Sequence, residues 1–310
     1  MLVPAMGAHA PYWGRVTASV NWCEPDYVYT PYIAEWWNTL TSFPIFALAL
    51  YGFFVGLRQG YSKRVLAPLL LMSVVGFGSM AFHGTLQKWG QAIDELAMIW
   101  AAAALVFAVF EIDVRVQRAW LAPALLLYCA AFSAAYFYMP EYFVWFLLSY
   151  IVLVLTLFAG SLRFCGKAGD KNARLLLAVS AVLYAGGFFL LWLPDKLMCE
   201  KVRDWQFHAL FVSAPAERAR KRGFSQLQRA TPHTHAPTHN ARAQHITSTI
   251  GPWYLIMHVV YSFHERANAA KLRGYRKPLL VLHAGVLPIV ELVVETGRKT
   301  PGKGRKTGLE

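Results

Sequence analysis

Residues that could carry out hydrolytic chemistry lie together in the segment "GSMAFHGTLQKWGQAIDELAM" (78–98), between two long apolar runs. Ser79 and His83 are four residues apart, so a helix would place both on one face. Asp94 follows His83 by eleven residues, across a short turn, at the start of the next apolar run. Ionisable groups at membrane depth are costly and usually functional. The segment therefore predicts a polar site at one end of a membrane bundle.

Two further histidines, His208 and His245, stand at the start of the seventh apolar run, before and after an unusual polar segment. Alternating spans would bring both to the depth of His83. Three neutral histidines and a water form a catalytic zinc site with one open position. Such a zinc ion polarises a carbonyl and lowers the pKa of its water to about 7. The pattern predicts metal-assisted hydrolysis.

The other polar residues complete this hypothesis. Asp94 could take the proton of the water, and the Ser79 hydroxyl could donate to a developing oxyanion. The apolar surroundings predict a lipid-like substrate that enters from the bilayer. The alternative for Ser79 and His83 is structural, because such residues on a membrane helix often make interhelical hydrogen bonds. His258, His264 and His283 lie at other depths and are interpreted as structural.

A second cluster precedes the first apolar run, in "NWCEPDYVYTPYIAEWWN" (21–38). Its hard oxygen ligands are of the kind that calcium prefers, and they come from Asn21, Glu24, Asp26 and Glu35. The spacing is not that of an EF-hand. The alternative is a solvated acidic segment in front of the membrane.

The elements that must position these residues are membrane helices. Of the 310 residues, 56% are hydrophobic and 15% charged, whereas soluble domains carry about 25% charged residues. Apolar runs of about 20 residues can span a bilayer. The sequence predicts seven spans, at 33–57, 65–86, 92–110, 119–138, 142–162, 173–193 and 245–263. The first run starts too late and is too long for a signal peptide, so none is predicted.

The charge distribution predicts the orientation. The net charge is +13, yet its placement fits the positive-inside rule rather than nucleic-acid binding. Lys and Arg concentrate in the odd-numbered loops and the C-terminal tail, so the N-terminus is predicted to be lumenal and the C-terminus cytosolic. Cys23 and Cys199 then share the lumenal side, where disulfides form. A Cys23–Cys199 bridge is predicted, with two free thiols as the alternative.

Residues 210–244 interrupt the last span. They are rich in Arg, Ala, Thr, Pro and His and show no periodicity, a composition typical of disorder. The "HTHAPTH" run could bind metal weakly. The segment is interpreted as an insert in the seventh helix, or as the translation of a retained intron.

Four regions follow from these observations. Residues 1–32 are predicted to form a lumenal segment with the candidate calcium site; 33–209 and 245–264 an all-α bundle of seven transmembrane helices; 210–244 the insert; 265–310 an interfacial stretch and a basic cytosolic tail.

Several motifs together resemble the alkaline ceramidases: "NWCEPDY", "YIAEWWNT", "GFGSMAFHGTL", "DELAMIW" and "QFHA", over about 12–209 and 245–295. These are seven-helix zinc amidases of the endoplasmic reticulum and Golgi, in a superfamily (CREST) distantly similar to adiponectin receptors. The resemblance implies cleavage of ceramide to a sphingoid base and a fatty acid, as part of sphingolipid metabolism. It implies ceramide and membrane lipid as partners, with neither nucleic acid nor a required protein partner.

The resemblance also implies roles for individual residues. Ser79 and Asp94 match the catalytic serine and acid; His83, His208 and His245 match the zinc ligands; Asn21, the Trp22 carbonyl, Glu24, Asp26 and Glu35 match the calcium ligands; Cys23 and Cys199 match the disulfide. The family has Asp where this chain has Asn21, and Asn where it has Asp26. In the family the last two histidines are four residues apart on one helix, whereas here 37 separate them. A heptahelical receptor and an inactive paralogue are the alternatives.

Overall fold

The computed structural model describes residues 9–112, 118–139, 142–168, 171–198, 251–264, 277–283 and 287–293. Within these ranges the chain is mostly helical. The helices are α1 (Trp36–Gln59), α2 (Lys63–Thr85), α3 (Lys88–Phe110), α4 (Leu121–Tyr136), α5 (Tyr142–Ala168), α6 (Lys171–Gly186), a π-helical continuation (Gly187–Trp192), α7 (Leu193–Leu197) and α8 (251–264). An antiparallel hairpin follows, with β1 (Lys277–His283) and β2 (Leu287–Val293).

Five of the described helices are long and apolar enough to cross a membrane: α1, α2, α3, α5, and α6 with its continuation to Trp192. Helix α4 has 16 residues, fewer than the about 20 that a perpendicular span needs. The prediction of a mainly helical protein with membrane-spanning helices is confirmed at this level. The number of seven spans and the orientation of the termini stay predictions.

Helix α1 has an unusual start and an ordinary end. The carboxylate of Glu24, thirteen residues before Trp37, accepts the backbone N–H groups of Trp37 (2.7 Å) and Asn38 (2.9 Å). A carboxylate at a helix N-terminus satisfies unpaired amides and complements the helix dipole. At the other end Gly60 adopts a left-handed conformation (φ +78°) and closes the helix, as glycine does at many C-termini.

Helices α1, α2 and α3 form an antiparallel core layer with two distinct ends. We call the end that carries Glu35, Thr85 and Lys88 the upper end, and the end that carries Gln59 and Phe110 the lower end. Only two residues separate α2 from α3. The backbones meet closely at Gly78, where an added Cβ would lie 2.6 Å from the Asp94 nitrogen. A glycine at this crossing therefore sets how near α3 approaches α2.

Helix α8 is the most enclosed described helix. Most of its side chains are buried, among them Leu255, Val259 and Val260, which have no exposed area. A helix that is apolar on every side belongs inside a bundle. Its described part, 251–264, falls within the predicted seventh span, whereas His208, His245 and the insert (210–244) lie outside the described residues.

The hairpin lies in the region predicted as an interfacial stretch and tail (265–310), and it corrects the expectation of an all-α protein. Lys277 pairs with Val293 and His283 with Leu287. The hairpin packs on the lower end, where Tyr61 donates to the Val290 carbonyl and Trp253 to the Pro288 carbonyl (2.9 Å). Prolines disfavour helix, and β-branched residues favour strands. The predicted interfacial position of this run stays a prediction.

A buried carboxylate joins three elements at the lower end. Glu111 is 2% exposed and accepts the backbone N–H of Arg118 (2.9 Å). Its carboxylate lies 3.9 Å from Arg64 and 3.7 Å from Arg118. These contacts connect the start of α2, the end of α3 and the segment before α4.

We expect Gly78→Ala to lower the free energy of unfolding by about 1–3 kcal/mol, as overpacking does, because the new methyl group would push α3 away from α2. Thermal unfolding in detergent measures this. Gly186→Ala is the matched control, since nothing lies within 4 Å of a Cβ there. The control should be neutral or stabilising by about 0.5–1 kcal/mol. Equal stability of the two variants would contradict the close crossing.

Candidate catalytic and metal-binding site

The contact between α1 and α2 places Ser79 and His83 side by side. Both side chains are buried and face α1. The Ser79 hydroxyl lies 3.0 Å from the Ser42 hydroxyl, which donates to the Asn38 carbonyl at 2.7 Å. One turn closer to the upper end, the Nδ1 of His83 bonds to the Glu35 carboxylate.

Glu35 is the centre of this arrangement and has no exposed area. Besides His83, its carboxylate accepts the backbone N–H of Trp22 (3.1 Å) and the side-chain amide of Asn38 (3.0 Å). A carboxylate facing Nδ1 favours the tautomer with its proton on that nitrogen. The Nε2 of His83 then carries the lone pair. This is the nitrogen that a metal would bind.

Asp94 reaches the same level from α3. Its backbone lies against Gly78, the residue before Ser79. Its side chain is partly exposed, and among the described residues no hydrogen bond to its carboxylate is found. A carboxylate in this condition can exchange a proton with water or with a substrate.

Aromatic rings cover His83. Phe82 stacks on the imidazole with ring centres 5.0 Å apart, and Trp22 lies 6.5 Å from it. Trp192, on the π-helical continuation of α6, meets Trp22 edge to face at 5.9 Å. π-Helical turns within α-helices are frequent at functional sites. The rings make the approach to His83 apolar.

The acidic segment before α1 is buried rather than solvated. Glu24 and Asp26 are 5% and 6% exposed, so the alternative of a solvated segment is wrong. One Asp26 oxygen accepts from Asn21 (2.9 Å), while Oδ1 is buried and has no hydrogen-bond partner among the described residues. Such an orphaned oxygen is costly, and it marks a place where a cation would fit.

Burial changes the acidity of these groups. Desolvation raises the pKa of Glu24 to about 7, with the Glu35 and Asp26 charges adding to it against two backbone hydrogen bonds. Desolvation and the Glu35 charge raise the pKa of Asp26 to about 6. The protein thus gathers three carboxyl groups that would repel each other when ionised, and a divalent cation would relieve that repulsion.

The zinc site is only partly within the described residues. Among the described residues, no group of three or more His, Cys, Asp or Glu side chains is arranged to hold a metal. His208 and His245 lie outside the description. The donor chemistry around His83 nevertheless fits zinc, because zinc-binding histidines commonly give their other ring N–H to a carboxylate. Ser79 and His83 also make the interhelical bonds that the structural alternative predicted.

The predictions for the disulfide and for His258 and His264 have different outcomes. Cys23 is buried, but Cys199 lies outside the described residues, so their disulfide stays a prediction. His258 is fully buried, with Nδ1 2.9 Å from the Ala173 carbonyl, and His264 is buried near the Tyr61 ring. Both lie toward the lower end, in agreement with a structural role.

Sequence reasoning did not assign roles to two partners of the site. Asn38 and Ser42 contact Glu35 and Ser79 from α1. The sequence did contain a signal for these two residues. They are polar residues four apart in an apolar helix, and this spacing places side chains on one face. Their contact with Ser79 and Glu35 depends on how α1 packs on α2, which the spacing does not specify.

Comparisons with known proteins identify relatives of this sequence. The sequence model of the family Ceramidase matches residues 14–214. The chain is 30% identical over 205 residues to "Alkaline ceramidase" of Arabidopsis thaliana, covering 64% of this chain and 79% of that protein. It is 32% identical over 197 residues to "Alkaline ceramidase 3" of Mus musculus (63% and 73%). It is 24% identical over 208 residues to "Alkaline ceramidase 1" of Homo sapiens (63% and 76%).

The family match covers the acidic segment, Ser79, His83, Asp94 and His208, and ends at residue 214, close to the predicted start of the insert. The resemblance noted for residues 245–295 lies beyond it. A match over residues 14–214 spans well over half of the chain, and we conclude that this chain belongs to the ceramidase family.

Proposed function

We propose that the protein is a zinc-dependent amide hydrolase of the membrane that cleaves ceramide to a sphingoid base and a free fatty acid. The observation that carries the proposal is the contact between buried Glu35 and the Nδ1 of His83, with Ser79 one turn away. Membership of the ceramidase family supports ceramide as the substrate.

His83, His208 and His245 would hold the zinc ion. When bound, zinc would polarise an amide carbonyl and make water more acidic. Glu35 keeps the imidazole of His83 in one orientation and tautomer,. In the free protein the Ser42 hydroxyl donates to the Asn38 carbonyl, so Ser79 donates to Ser42, 3.0 Å away. When substrate is bound, the Ser79 hydroxyl turns its proton to the oxygen on which negative charge develops, and the Ser42 hydroxyl can donate to Ser79 in exchange.

Asp94 moves the proton. Its carboxylate accepts a proton as water attacks the amide carbon, and returns it to the nitrogen as the C–N bond breaks. The products are an amine and a carboxylic acid, so atoms and charge balance. The aromatic cover of Phe82 and Trp22 excludes bulk water and accepts an apolar chain.

We further propose that Asn21, the Trp22 carbonyl, Glu24, Asp26 and Glu35 bind calcium. The orphaned Oδ1 of Asp26 and the mutual repulsion of the three carboxyl groups support this. Because Glu35 also contacts His83, a cation bound in the acidic segment would fix the position of Glu35. Glu35 in turn orients His83, the proposed zinc ligand.

The remaining assignments rest on the sequence. The charge distribution supports seven spans with a lumenal N-terminus and a cytosolic C-terminus. That orientation supports a Cys23–Cys199 disulfide, and the resemblance to the alkaline ceramidases supports location in the endoplasmic reticulum or Golgi. Nothing in the described residues favours the receptor alternative.

We expect His83→Ala to reduce ceramide hydrolysis at least a hundredfold and to lower bound zinc, because it removes a ligand and leaves Glu35 buried without its histidine. Activity assays and metal analysis of purified protein measure both. His258→Ala removes an equally buried histidine toward the lower end and serves as the control; it should keep its zinc. Full zinc occupancy in His83→Ala would exclude His83 from the ligand set.

The acidic segment should make stability depend on pH and calcium. Glu24 and Asp26 have pKa values of about 7 and about 6, raised from 4.5 and 3.8, so the folded protein binds protons more tightly than the unfolded chain. In a chelator, the contribution of these two carboxyl groups to stability is therefore fully present below about pH 4 and is lost as the pH rises through about 7. Calcium should restore it by several degrees in unfolding temperature at pH 8, where the carboxylates are ionised.

Thermal unfolding with calcium or with chelator, between pH 4.5 and 8, measures this dependence. The double variant Glu24→Gln, Asp26→Asn is the control, and should flatten the pH profile and lose the calcium effect. A calcium effect of equal size in that variant would place the ion elsewhere.

Removing residues 210–244 and joining Ala209 to His245 through two tryptophans should raise activity at least tenfold. The added loop costs only about 2 kcal/mol in closure entropy, which a zinc site worth about 10 kcal/mol could offset. The larger cost would come from splitting the predicted seventh helix, because a short helical piece forms no stable turn alone and unsatisfied backbone groups are expensive at membrane depth.

The measurement compares ceramide hydrolysis by the full chain and the joined variant. His245→Ala in the joined variant is the control and should abolish the gain. If the full chain is as fast as the joined one, the insert is a tolerated loop.

A further inference from the structure

Glu95, the residue after Asp94, belongs to a buried hydrogen-bond network that the proposed mechanism does not use. It is 3% exposed. Its Oε2 accepts from the Tyr136 hydroxyl of α4 at 2.6 Å, and its Oε1 accepts from the Gln91 amide at 2.6 Å. Both oxygens of the carboxylate are therefore held, one from α4 and one from its own helix.

A backbone donor sets the direction of this network. The Ser19 N–H lies 2.8 Å from the Oε1 of Gln91, and a backbone N–H can only donate. The Gln91 oxygen must therefore face Ser19, and the Tyr142 hydroxyl donates to the same oxygen at 3.3 Å. The NH₂ group is left for Glu95, which must accept. The network thus has one arrangement, running from the N-terminal segment through α3 to α4.

The side chains of consecutive residues on a helix point in directions about 100° apart around its axis. Glu95 is anchored toward α4 and the N-terminal segment, while the backbone of Asp94 rests against α2 at Gly78. These two contacts act on the same turn of α3 from different sides. Together they determine the rotation of α3 about its axis, and with it the direction of the Asp94 side chain.

We propose that Glu95 is a positioning residue for the hydrolysis proposed above: through Gln91 and Tyr136 it holds the turn of α3 that directs Asp94 to the site. The inference rests on the proposed role of Asp94. It predicts that loss of Glu95 slows the chemical step without weakening the binding of substrate.

Glu111 provides a matched control. It directly follows the last residue of α3, is equally buried at 2% exposed, and accepts a hydrogen bond from the Arg118 backbone N–H. It lies at the lower end, a helix length from Asp94. Loss of either carboxylate should lower the unfolding temperature, so stability alone does not separate positioning from packing.

The first measurement is steady-state hydrolysis of ceramide in detergent micelles by the full chain. Glu95→Ala should lower kcat at least tenfold with KM within twofold, whereas Glu111→Ala should leave kcat within twofold. Glu95→Gln should recover most of the rate, because its amide oxygen still accepts from Gln91 and the Tyr136 hydroxyl can accept from its NH₂. A kcat of Glu95→Ala equal to that of Glu111→Ala overturns the inference.

The second measurement does not need activity. Cysteines introduced as Ser79→Cys and Asp94→Cys should cross-link on oxidation, detected by mass spectrometry of the digest. Adding Glu95→Ala should slow the cross-link at least fivefold, and adding Glu111→Ala should not. An unchanged rate with Glu95→Ala overturns the inference. A wild-type chain that hydrolyses no ceramide contradicts the proposed function, while the cross-linking rates still decide the role of Glu95.

Discussion

The upper end of the bundle depends on one buried carboxylate. Glu35 has no exposed area, and an unpaired charge in such a place would be very costly. Its partners come from three parts of the chain: the Trp22 backbone, the Asn38 amide and the His83 ring. The N-terminal segment, α1 and α2 therefore cannot move independently without breaking a bond to a buried charge.

Buried carboxylates have different surroundings at the two ends of the bundle. At the lower end Glu111 faces Arg64 and Arg118, which makes an ordinary structural cluster. At the upper end burial and neighbouring carboxylates raise the pKa of Glu24 and Asp26. Perturbed pKa values cluster at functional sites, and this asymmetry supports the proposed site at the upper end.

Most of the helices followed from hydropathy alone. The long apolar runs correspond to α1, α2, α3, α5 and α6 within a few residues, because a bilayer demands about 20 apolar residues whatever the fold. The hairpin did not follow. Leu279 and Val290 belong to an apolar run that could be strand or helix, and only its packing against Tyr61 and Trp253 makes the strand pairing favourable,.

The sequence by itself determined the ingredients of the site. A four-residue spacing is a local property of a helix, so Ser79 and His83 could be assigned to one face, and a cluster of oxygen ligands could be recognised before α1. Only the tertiary structure decided that His83 meets Glu35, that Ser79 meets Ser42, and that Tyr136 holds Glu95. These contacts join residues far apart in the chain, and their formation depends on helix approach at points such as Gly78, which no local pattern encodes.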